Sequence, residues 1–99
     1  MHLATPQCLH NGALVLVLEG RLDLTLMGTV FKDCFSRESH NRDYIIDLGA
    51  VGEFFDSGIA LLLMLHRHLK RSGNKLTVVN GPPAILGRCR SLGIEAAPA

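Results

Sequence analysis

YIIDLGAVGEFFDSGIALLLMLHRHLKRSG, residues 44–73, changes its hydrophobic period halfway along. The opening Tyr44-Ile-Ile-Asp-Leu48 is apolar and β-branched, which predicts a short strand closed by Gly49 and Gly52. Ser57-Gly58 then opens a helix running from Ile59 to about Arg71. Lys70 and Arg71 complement the negative end of that helix dipole, and Gly73 stops it. A strand passing into a helix is half of a βα unit, and the flanking segments show whether the unit repeats.

It does. Downstream, Lys75–Val79 reads as a strand. Pro82-Pro83 starts another helix, with Ile85, Leu86, Cys89 and Leu92 on one face and Gly93 at its stop. Upstream, Met27, Val30, Phe31, Cys34 and Phe35 fall at i, i+3, i+4, i+7 and i+8, an amphipathic helix capped by Asp23 or Thr25. It ends in the polar run Ser36–Arg42. Asn11-Gly12 is a type I′ hairpin signal between the strands His2–His10 and Ala13–Gly20. The continuous apolar run Leu14–Leu18 suits a strand covered on both faces. The order β-β-α-β-α-β-α predicts an α/β fold, a mixed four-stranded sheet packed with helices. Residues 1–99 form one domain, with a frayed tail at about 95–99.

Composition narrows the function. Hydrophobic residues make up 47% of the 99, charged residues 19%, and aromatics 5% with no Trp, so the core is aliphatic and 17 leucines supply most of it. A net charge of +1 is too small for a chain that tracks a phosphate backbone, so direct nucleic-acid binding is not expected. Cys8, Cys34 and Cys89 form no CxxC pair, which points to reduced thiols and a cytoplasmic location. The N-terminus lacks a basic segment, and the longest apolar run, Ile59–Leu65, is too short to insert in a membrane. His66 and His68, two apart on a helix, cannot chelate together, and no catalytic set stands out. Neither metal, cofactor nor enzymatic activity is expected.

The residues now described resemble the STAS domain, shared by bacterial anti-sigma factor antagonists and the cytoplasmic ends of sulfate transporters. Glu19-Gly20-Arg21-Leu22-Asp23 is similar to that family's E-G-x-L-D. Asp47-Leu48 followed by Asp56-Ser57-Gly58-Ile59-Ala60-Leu61-Leu62 is similar to its strand, phosphorylation loop and helix. The segment from Pro83 to Gly93-Ile94 is similar to its closing helix. One departure stands out: counted without a gap from Asp47, Phe55 occupies the place of the family's Asp, and Ser57 falls on its phosphorylated position.

The resemblance implies a phosphorylation-switched binding protein, with Ser57 as phosphosite and Asp56, Gly58 and Asp23 as its loop. It implies an anti-sigma factor or serine kinase as partner and a phosphatase to reset the switch. A second reading is a STAS subunit docking constitutively on an ABC-type transporter ATPase. On the residues alone, Ser57 is equally a helix N-cap, and Asp23 the cap of the preceding helix. The helix after Ser57 carries two stripes: Ile59, Leu62, Leu63, His66 and Leu69 on one side, Leu61, Met64, Leu65 and His68 nearly opposite. One stripe meets the sheet. The other meets neighbouring helices, or forms with Ile59 a docking face of Ile59, Leu61, Met64, Leu65 and His68.

Overall fold

The computed structural model describes residues 4–10, 13–23, 25 and 43–97. The Asn11-Gly12 turn and the helix expected around Met27–Phe35 lie outside these residues. Five strands, β1 (Ala4–His10), β2 (Ala13–Leu22), β3 (Tyr44–Phe54), β4 (Leu76–Val79) and β5 (Glu95–Ala97), form one sheet in the order β1-β2-β3-β4-β5. β1 pairs antiparallel to β2, with His10 opposite Ala13, as a two-residue hairpin connection requires. The other pairings are parallel, linked by α1 (Asp56–Arg71) between β3 and β4 and α2 (Pro83–Ser91) between β4 and β5. The expected mixed α/β sheet packed with helices is therefore present.

β2 runs two residues past Gly20 to Leu22 and α1 begins at Asp56, ahead of Ile59; two further differences from expectation reshape the sheet. β3 does not close at Gly49 but runs on through Gly52 to Phe54. The register against β2 shifts twice, from Val17 opposite Asp47 to Glu19 opposite Ala50, and from Gly20 opposite Val51 to Arg21 opposite Glu53. Each shift inserts one extra residue in β3, near Gly49 and at Gly52, so the two glycines mark bulges and not a stop. At the first, the Asp47 carboxylate accepts the Gly49 N–H at 2.8 Å. The extension carries the strand to the start of α1. Second, Glu95–Ala97, expected as frayed tail, forms a fifth strand through backbone pairing with Thr77–Val79 of β4.

Alternation along the strands builds the core: Leu16 and Leu18 on β2, Tyr44, Ile46 and Leu48 on β3, Leu76 and Val78 on β4 are all buried. Val15 and Val17, on the other face of β2, are half-buried. From the helices come Ile59, Leu61, Leu62, Leu65 and Leu69 on α1, and Leu86 and Cys89 on α2. Both helices stop where expected. Gly73 and Gly93 adopt φ of 78° and 88°, a left-handed conformation that favours glycine. After α1, Gly73 N–H donates to Lys70 C=O and Asn74 N–H to Leu69 C=O; after α2, Gly93 N–H donates to Arg90 C=O and Ile94 N–H to Cys89 C=O. Among the described residues no helix is long and apolar enough to cross a membrane.

Candidate functional site

The parallel pair β2–β3 ends at Leu22 opposite Phe54, and the chain turns into α1 there. Phe55 is the N-cap, extended at φ −121° and ψ 153°, with no side-chain cap hydrogen bond. Its N–H donates to Leu22 C=O at 3.1 Å, and its own C=O accepts the N–H groups of Gly58 and Ile59. Asp56, Ser57 and Gly58 are thus the first three helical residues, so neither Asp56 nor Ser57 caps the helix. The helix start presses on the end of β2: a Cβ on Gly58 would lie 2.2 Å from the Leu22 carbonyl oxygen. This absence of a side chain is what lets Ser57, half-buried, sit in the first turn at the C-terminal end of β2 and β3, inner strands of the sheet. There the helix dipole is positive.

Charged side chains surround that turn. Asp56 is exposed and accepts Arg88 Nη1, from α2, at 2.9 Å. Asp23, buried at 9% exposure, holds Arg21 Nη2 at 3.3 Å and accepts the Thr25 N–H and hydroxyl. The helix that Asp23 was expected to cap lies outside the described residues. Arg21 also reaches Glu53 at 3.9 Å, and its guanidinium lies 5.4 Å from the centroid of the Phe55 ring, which is 39% exposed. Arg21 therefore links Asp23 to Phe55, the residue that departs from the family pattern. Neither Arg21 nor Arg88 stood out in the sequence. Arg21 lies within the E-G-x-L-D-like motif, but at its variable position, and Arg88 meets Asp56 across 32 residues.

The docking face expected on α1 needs correction. Ile59, Leu61 and Leu65 are 2%, 2% and 0% exposed and belong to the core. Gly58, Leu61, Leu62, Leu65 and Leu69, with Ile59 at the margin, form one arc that straddles both expected stripes. Met64 remains, 49% exposed, and His68 is half-buried. The outward ridge of α1 is instead Ser57, Ala60, Met64, Arg67 and Arg71, at i, i+3, i+7, i+10 and i+14. Truncation should separate the two sets. Leu65→Ala is expected to cost about 2–5 kcal/mol of folding stability, whereas Met64→Ala should stay within roughly 0.5 kcal/mol, as read by denaturant titration.

His66 is half-buried on the same helix, and its Nδ1 has no hydrogen-bond partner among the described residues. Burial, then the charges of Lys70 and Arg67, push its pKa below the ordinary 6.5. The folded chain thus favours neutral imidazole. This contribution to stability is complete above pH 6.5 and is lost as pH falls through the lowered folded-state value. The melting temperature of the wild-type chain should fall more steeply between about pH 7 and 5 than that of His66→Gln. Parallel slopes would remove His66 from the account.

The fold that carries this turn is that of a known family. Residues 8–97 match the model of the STAS domain, and the chain belongs to that family. Among solved structures it is similar to the anti-sigma factor antagonist SpoIIAA in its unphosphorylated form, with a TM-score of 0.72 and 17% identity over 97% of this chain and 88% of that one. It is also similar to Mglu, with a TM-score of 0.67 and 21% identity, covering 83% of this chain and 20% of the Mglu chain. At such identities the likeness is one of fold. No curated protein sequence matches the chain.

Proposed function

We propose that this STAS domain is a regulatory binding protein of the anti-sigma factor antagonist kind, itself a substrate and not an enzyme. Unphosphorylated, it binds an anti-sigma factor or a related serine kinase through the first turn of α1 and the ridge of Ala60 and Met64. Phosphorylation of Ser57 releases the partner, and a phosphatase restores binding. The observation that supports this reading is the position of Ser57: first turn of α1, at the C-terminal end of the inner strands β2 and β3, start of an outward ridge with an exposed methionine. Ala60 and Met64 offer an apolar contact beside a hydroxyl whose charge can be changed. Asp56, the carboxylate nearest in sequence, is paired with Arg88, which reduces its repulsion of a phosphate on Ser57.

The test is intact mass of the chain purified from cells, before and after phosphatase treatment, beside the Ser57→Ala variant. Loss of one phosphate from the wild type alone supports the switch. An unphosphorylated chain that copurifies with a transporter ATPase contradicts it.

A further inference from the structure

Among the described residues, the outer edge of the sheet at β5 is met by the side chain of Arg90. In a parallel pair, successive residues turn their N–H and C=O alternately toward and away from the neighbouring strand. Ala97 C=O accepts the Asn80 N–H that follows β4, at 3.3 Å, so Ala97 and Glu95 address β4. Ala96, between them, presents its backbone groups to the open side. Its carbonyl is already taken: Arg90, exposed near the end of α2, donates Nε–H to Ala96 O at 3.1 Å.

We infer that the β5 edge is a latent self-association surface of this chain, and that Arg90 keeps it shut. An open edge is a template for another strand, and proteins protect such edges with charged side chains, prolines and short strands. A charged side chain and a short strand are both present here. The occupant that fits is a second copy of this chain. Because Ala96 offers one donor and one acceptor on the same side, antiparallel pairing of Ala96 with Ala96 of a second copy satisfies both residues about a two-fold axis. The small side chains of Ala96 and Ala97 leave room for that approach.

Sedimentation equilibrium over a concentration series tests this with four variants. Arg90→Ala frees the carbonyl and should self-associate about thirtyfold more tightly than the wild type, the value of two hydrogen bonds. Arg90→Gln places an amide N–H at the same distance along the side chain as Arg Nε, and should behave as the wild type. Arg90→Met, of similar length without a donor, should follow Arg90→Ala. Adding Ala96→Pro to Arg90→Ala removes the outward N–H without touching a bond to β4, and should abolish the gain. Equal masses for Arg90→Ala and wild type at every concentration would overturn the inference, as would association that survives Ala96→Pro. Circular dichroism confirms that each variant is folded. None of this requires Ser57 or its partner.

Discussion

Gly58→Ala is expected to destabilise the fold by about 3 kcal/mol, at the upper end for one added methyl group. The new Cβ would lie 2.2 Å from the Leu22 carbonyl oxygen, 2.5 Å from its carbon and 2.7 Å from Leu22 Cγ. Two of these are backbone atoms, and Leu22 C=O is also bonded to the Phe55 N–H, so neither side can yield alone. Relief requires α1 to lift from the end of β2, which displaces Ser57 as well. In a domain of this size 1 kcal/mol corresponds to roughly 4–8 °C, so the melting temperature should drop by about 12–24 °C. Gly87→Ala is the control: nothing lies within 4 Å of its Cβ, on α2, and the same change there should stabilise by roughly 0.5–1 kcal/mol. Thermal melts of the two variants are therefore expected to move in opposite directions.

Ser57→Asp should weaken partner binding on the order of a hundredfold or more relative to Ser57→Ala. A charge buried in an interface without compensation costs roughly 3–5 kcal/mol, and 1.4 kcal/mol is about tenfold in affinity. Folding should not suffer. An aspartate in the first turn of α1 meets the positive end of the dipole and gains about 0.3–1 kcal/mol. The two effects have opposite signs, so a stable Asp variant that fails to bind isolates the charge as the cause. Met64→Ala, neutral for the fold, should weaken binding without adding charge.

The alternation of strands and helices was legible because each segment carries its own period and its own punctuation. Gly73 and Gly93 end their helices as read, since a left-handed stop is a local property of the chain. Gly49 and Gly52 were misread for the same reason: a glycine that ends a strand and one that bulges it look alike locally, and only the register against β2 distinguishes them. Glu95–Ala97 has little intrinsic strand propensity and is a strand because β4 supplies the backbone pairing. On α1, the run Leu61-Leu62-Leu63-Met64-Leu65 offers no polar contrast, so its periodicity could not say which arc faces the sheet. Of the candidate site, Ser57, Asp56, Gly58 and Asp23 came from motif resemblance. Arg21 on Phe55 and Arg88 on Asp56 are contacts between distant segments, which no short-range pattern encodes.

The most direct measurement is calorimetric titration of the chain, with Ser57 either unmodified or incorporated as phosphoserine, into a purified kinase-type anti-sigma factor to which the unmodified chain binds. Phosphoserine is expected to lower the affinity at least about a hundredfold, with the chain still folded. Equal or tighter binding of the phosphorylated chain would contradict it.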